Sequence, residues 1–148
     1  SMEADNVDLA AMVDECPNVV FHEQRKASFD RASWCYDKQK NAICTSDKLA
    51  AAGFHYTGTK ADPSAAACAF CLKEMLFDDT DDPWEEHVSH SPSCFFVRLN
   101  QHDEKQLTMQ QFLQLVAYRK SKLYGKWMRS QIDQFQTAVN YVAEMKPK

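Results

Sequence analysis

Three cysteines and one histidine in the middle of the chain have the types and spacing of a structural zinc site. Cys68 and Cys71 are separated by two residues, His87 follows after fifteen more, and Cys94 after a further six. A C-x-x-C pair can grip a metal from one tight turn, and three thiolates with one imidazole complete a tetrahedral set. The pair alone would also fit a redox couple; the additional His and Cys turn the reading to zinc. His90, with three residues between it and Cys94, is a second imidazole at an acceptable spacing, so spacing alone leaves His87 and His90 both open. Four protein ligands close the coordination shell, whereas a catalytic zinc keeps a position open. No Ser/His/Asp or paired-carboxylate arrangement offers another enzymatic chemistry, which leaves Cys35 or Cys44 as an isolated nucleophile the only enzymatic alternative. The expectation is a non-enzymatic protein with one structural zinc ion.

Between the second cysteine and the histidine runs an acidic stretch, Asp78, Asp79, Asp81, Asp82, Glu85 and Glu86, with no base among residues 78 to 86. A zinc held by three thiolates is itself formally anionic and does not offset these acids. Such a surface attracts a cation, a free amine or an arginine. A calcium loop is the other ligand reading, weakened by the absence of the central glycine and of a correctly spaced final Glu. Lys73 and His90 flank the acids as one cation and one titratable imidazole.

The elements that must position these groups are short. Residues 18 to 34 suggest a helix that turns Phe21, Phe29 and Trp34 inward. Thr45-Ser46-Asp47 before Lys-Leu-Ala-Ala-Ala, with Gly53 behind, reads as a capped helix and its stop. Phe54 and Tyr56 alternate with polar neighbours as a strand, and residues 66 to 72 and 74 to 77 supply two more, hinged at the C-x-x-C turn. Asp82-Pro83-Trp84-Glu85 opens a helix, and Ser91-Pro92 opens a second that carries Cys94. The result is an α+β fold: a three-stranded antiparallel sheet with short helices, whose thin core needs the free energy of a metal.

From Leu107 to Met145 no proline occurs, and only Gly125 disfavours a long helix. Leu113, Val116, Leu123, Trp127, Met128, Ile132, Phe135, Val139, Val142 and Met145 recur at helical spacing, with Tyr124, Ala138 and Tyr141 on the flanks. That stripe is wider than a two-stranded seam and suits a bundle with more than one partner helix; self-packing in a homodimer is the simpler alternative. Arg119, Lys120, Lys122, Lys126 and Arg129 form a basic run suited to acidic helices or nucleic acid. Residues 1 to 100 carry seventeen acids against nine bases and residues 101 to 148 four against eight, so an acidic head precedes a basic tail. The expected division is a lead-in over 1–17, a zinc domain over 18–100 and a helix over 101–148. No run of eighteen apolar residues occurs and thiolate ligation suits a reducing compartment, so the expectation is intracellular, with no membrane partner.

These residues resemble the baculoviral inhibitor-of-apoptosis repeat, the BIR domain. The resemblance rests on Arg25-x-x-Ser28-Phe29, Trp34, the stretch from Cys44 to Gly53-Phe54, and C-x-x-C followed by D-x-P-x-x-E-H and a last Cys, over roughly residues 20 to 97. It implies Cys68, Cys71, His87 and Cys94 as the ligands and leaves His90 free. One such domain followed by a long helix is similar to the survivin-like branch. That resemblance implies a subunit of the chromosomal passenger complex in chromosome segregation and cytokinesis, found in nucleus and cytoplasm, at centromeres and at the spindle midzone. It implies that Lys73 and His90 meet the phosphate of a phosphothreonine-bearing histone tail, that Asp81 and Glu86 face its amino terminus and arginine, and that Met75 and Phe77 wall its alanine. The helix would meet borealin-like and inner-centromere-protein-like helices, and through them an Aurora-type kinase. Met109 and Phe112 would be contacts of a competing homodimer. An apoptosis inhibitor that captures Ala-first peptides or caspases is the alternative. The chain departs from the family pattern in two ways: the interval from Cys71 to His87 is one residue short, and Leu76-Phe77 stands where Glu-Gly-Trp is usual.

Overall fold

The computed structural model describes residues 17–145, so the expected lead-in lies, apart from Pro17, outside the described residues. A single 3-10 turn, Asn18–Val20, leads into α1, His22–Ala32. Phe21 has no side chain that could cap this helix; instead the Glu104 carboxylate accepts the His22 N–H at 2.7 Å across 82 residues of chain. Val20 and Trp34 therefore lie just before and after the helix, and α1 buries Arg25 and Phe29. The left-handed Ser33 (φ 51°) ends it.

Helix α2, Ser46–Ala51, starts as its sequence signals: the Thr45 hydroxyl accepts the Lys48 N–H. The Asp37 carboxylate takes both the backbone N–H and the hydroxyl of Ser46 and pins this start to the preceding loop. Gly53 follows with φ 94°, and a Cβ there would sit 3.0 Å from the Phe96 ring, so the turn needs glycine for conformation and for space. Its carbonyl accepts the Ala69 N–H at 2.9 Å, which brings the end of α2 against the zinc turn.

Strands β1 (Phe54–Tyr56), β2 (Ala65–Cys68) and β3 (Glu74–Leu76) form an antiparallel sheet in that order. The register sets Phe54 opposite Cys68 and Ala66 opposite both Tyr56 and Met75. All four β2 residues, Ala-Ala-Ala-Cys, are buried. Side chains this small let layers approach closely on both faces of the central strand. The core is aromatic: Phe29 packs edge-on to Trp34, Phe54 edge-on to Phe77, and Phe70 stacks on Phe96 at 5.0 Å. Two further hydrogen bonds close the loops over it, Trp34 Nε1 to the Cys44 carbonyl and the Tyr36 hydroxyl to the Phe77 carbonyl.

Helix α3 covers Pro83–His90 and α4 covers Phe95–Leu99. Asp82 caps α3 by accepting the N–H groups of Trp84 and Glu85. Ser91-Pro92 does not begin the next helix as expected; α4 starts three residues later, with Cys94 in its N-cap position. Cys94 is buried beside His87, and its own backbone (φ −57°, ψ 129°) is not yet helical there. A second 3-10 turn, Glu104–Gln106, leads to α5, Met109–Met145. Its 37 residues extend about 56 Å.

Arg25 holds the head's interior together. It is 3% exposed, with Nε 2.9 Å from the Ala50 carbonyl and Nη1 bonded to the carbonyls of Val19 and Val20. Its guanidinium lies within 6 Å of the Phe70 and Phe96 ring centroids. Burial lowers its pKa to about 10, while Glu104 works against that fall, so it is charged at neutral pH. Arg25→Met should strand these carbonyls and destabilise the zinc-loaded protein by about 3 kcal/mol, read from the urea midpoint.

Candidate metal centre and peptide surface

The turn from β2 to β3 makes one half of the centre. Cys68 Sγ accepts the N–H groups of Phe70 and Cys71 at 3.3 and 3.4 Å, as a thiolate does when its own turn folds around it. Leu72 completes the turn with φ 68°, a left-handed conformation costly for a residue with a Cβ. Helix α3 presents His87, which is fully buried, and the α3–α4 junction presents Cys94. The four ligand atoms lie within 4.8 Å of one another.

His87 is oriented from behind. Nδ1 lies 2.7 Å from the Ala52 carbonyl, so that nitrogen donates and Nε2 is left facing the sulfurs, 3.7 Å from Cys71 Sγ. Tetrahedral zinc with ordinary Zn–S and Zn–N bonds separates S and N by about 3.6 Å, which this spacing fits. Burial alone would lower the His87 pKa, yet the facing Cys71 and Cys94 sulfurs raise it to about 9. Burial pushes the Cys68 thiol up, and hydrogen bonds from Cys68 and Cys94 hold Cys71 far down as a thiolate. The site thus has one ready anion and shared protons that a divalent cation can displace. It holds one structural zinc. Its four donors leave the metal no open position, and His90 is not among them.

Phe96 and Trp84 close around the imidazole, with ring centroids 6.2 and 6.3 Å from that of His87, and Phe54 lies at 4.7 Å. Metal, sheet and helices therefore share one core.

The chain matches the family model described as "BIR: Inhibitor of Apoptosis domain" over residues 25–98. The chain belongs to the BIR family. The BIR match coincides with the stretch whose motifs carry the resemblance. The chain is 39% identical over 114 residues to baculoviral IAP repeat-containing protein bir-2 of Caenorhabditis elegans, covering 75% of this chain and 36% of that protein. It is 40% identical over 95 residues to chromosomal passenger complex protein bir-1 of the same organism, covering 64% of this chain and 57% of that one. Baculoviral IAP repeat-containing protein 5.2 of Xenopus tropicalis is 37% identical over 112 residues, covering 75% and 70%. The chain therefore spans little more than a third of bir-2 and just over half of bir-1.

The residues expected to read a peptide are dispersed around this BIR head. Lys73 and His90 are exposed and line one depression beside the zinc turn, of about 480 Å³. His90 Nε2 also lies 3.2 Å from the Glu86 carboxylate, one helical turn back. Asp81 accepts the Asp78 N–H at 2.8 Å, so part of its capacity already shapes the acidic turn. The expected apolar wall needs correction. Phe77 is 2% exposed and its ring is spent in the core against Phe54, while Met75 shares that inward face and packs against the core. Strand alternation explains this: positions 75 and 77 face one side, and Leu76, 62% exposed, faces the other.

The helix expectation also divides. Val116 is buried with Leu115 against the head, so it is not a free partner contact; Leu113 and Phe112 are half-buried, and Phe112 stacks on Phe21 at 5.4 Å. Met109, Leu123, Trp127, Ile132, Phe135, Val139 and Val142 are all exposed. Sequence reasoning set Arg119 in the basic run but missed its contact with the head: it donates from Nη1 to the Ala69 carbonyl at 2.6 Å, inside the zinc turn. No local pattern signals a bond that crosses 50 residues.

A chelator should strip the zinc and unfold the head at 25 °C, with loss of near-ultraviolet aromatic dichroism; Cys94→Ala should do the same without chelator. Because Cys68 and His87 hold protons that zinc must displace, zinc affinity should be at least roughly tenfold weaker at pH 6 than at pH 7.5 in a chelator competition.

Proposed function

We propose that this chain is a non-enzymatic adaptor of a chromosomal passenger assembly. Its BIR head reads a phosphothreonine-bearing histone N-terminal tail, and α5 joins it to partner helices. The observation that carries the assembly half is the distal part of α5. From Leu123 to Met145 its large apolar side chains, Trp127, Ile132, Phe135, Val139, Val142 and Met145 among them, are 37 to 71% exposed. Burying such a stripe is worth roughly 25 cal/mol per Å², a driving force the head leaves unused. The name of the relative bir-1, a chromosomal passenger complex protein, supports the same reading. Borealin-like and inner-centromere-protein-like helices are the proposed occupants, bringing an Aurora-type kinase; Met109 and Phe112 are the proposed contacts of a competing homodimer. The proposed locations are the nucleus, centromeres, spindle midzone and cytoplasm.

For the head, the supporting feature is charge division over a short distance. Asp81, Glu86 and their acidic neighbours suit the amine and arginine of a tail, and Lys73 with His90 suits its phosphate. With Phe77 buried, Leu76 is the apolar side chain left at the surface beside them.

Three measurements test the proposal. Phe135→Asp changes a side chain that is 71% exposed, so the head should keep its stability while capture of the partner helices falls at least tenfold in a pull-down. Removal of residues 107–148 should abolish capture of the partners, and caspase inhibition unchanged by that truncation would favour the apoptosis reading instead. Calorimetry with Ala-Arg-Thr peptides should show tighter binding when the threonine is phosphorylated, and equal affinities would remove the tail-reading half.

A further inference from the structure

The depression beside the zinc turn has two walls, and only one belongs to the head. Lys73 and Glu74 from the zinc turn, and Ser91 and Ser93 from the α3–α4 junction, line one side with His90. Tyr118, Lys122 and Lys126 of α5 line the other. Those three are spaced four residues apart, which sets them in one row along the same face of the helix. The row is held in place. Leu115 and Val116 are buried against the head, Arg119 bonds the Ala69 carbonyl, and the Tyr118 ring lies 6.0 Å from that of Phe95. Lys122 Nζ sits 5.2 Å from the Tyr118 ring centroid, so its stem follows the wall.

Three lysines thus line the depression, and among the described residues none of Lys73, Lys122 and Lys126 forms a salt bridge. Their charge outweighs Glu74 together with the single formal negative charge of the zinc centre. His90 is held by Glu86 and adds less. Three lysines with two seryl hydroxyls provide donors for a tetrahedral dianion, which an isolated surface lysine does not.

We propose that this depression is a composite phosphoryl site in which Lys122 and Lys126 of the long helix act as specificity residues for a phosphorylated side chain. The inference rests on the tail-reading proposal and adds to it the helix as a second wall. The head alone then lacks much of the discrimination between phosphorylated and unphosphorylated peptide.

The test uses the zinc-loaded full chain and paired Ala-Arg-Thr peptides, with and without the phosphate, in calorimetry. The double variant Lys122→Gln/Lys126→Gln removes two exposed charges and should keep zinc content and unfolding midpoint. Its preference for the phosphopeptide should fall roughly tenfold with affinity for the plain peptide unchanged. Arg129→Gln, which removes a base outside the depression, should leave the preference intact. A double variant that keeps the full preference overturns the helix wall and leaves tail reading standing. An equal loss in Arg129→Gln also overturns it, since a general field and not a site would be acting. Absence of any preference in the unmodified protein overturns the tail-reading proposal and this inference with it.

Discussion

The tetrahedral zinc is the constraint on which the rest of the head depends. It ties the β2–β3 turn, the middle of α3 and the start of α4 to a single point, and those pieces have few other means of meeting. The strands are three or four residues long and α4 has five. Elements this short are marginal by themselves in water. One metal turns three loose returns of the chain into a closed structure, and His87 relays its position to α2 through the Ala52 carbonyl.

Around this point the polar groups of the interior are organised as supports. Arg25 gathers carbonyls from the chain before α1 and from α2, and the Phe70–Phe96 stack lies against its guanidinium. Glu104 both favours that charge and caps α1, so the linker into α5 is fixed to the beginning of the domain. The acidic head and the basic helix thus meet at defined places and not by overall attraction.

Much of this was legible locally. The ligand spacing, the Thr45 and Asp82 caps, the Gly53 stop and the strand alternation at Phe54 and Tyr56 are short-range signals, and their elements form where those signals stand. What was not legible depends on distant partners. The alternation of Met75, Leu76 and Phe77 is visible in sequence, yet only the Phe54 ring on one face of the sheet decides which side is interior. Val116 and Trp127, eleven residues apart, lie on one face of the helix, and helical spacing cannot say that the head covers one and not the other. Proline at position 92 signals a helix start, but Cys94, which faces the other three ligands, keeps a non-helical backbone and the helix starts at Phe95. His87 and His90 are equivalent by spacing; burial and the Ala52 carbonyl separate them.

The bond from Arg119 to Ala69 makes α5 a lever arm with its fulcrum at the metal. The 26 residues beyond Arg119 reach roughly 39 Å past that point. A tilt of about 10° about that point displaces the far end by roughly 7 Å. The far end of the helix thus amplifies any rotation about that bond, because most of its length lies beyond it.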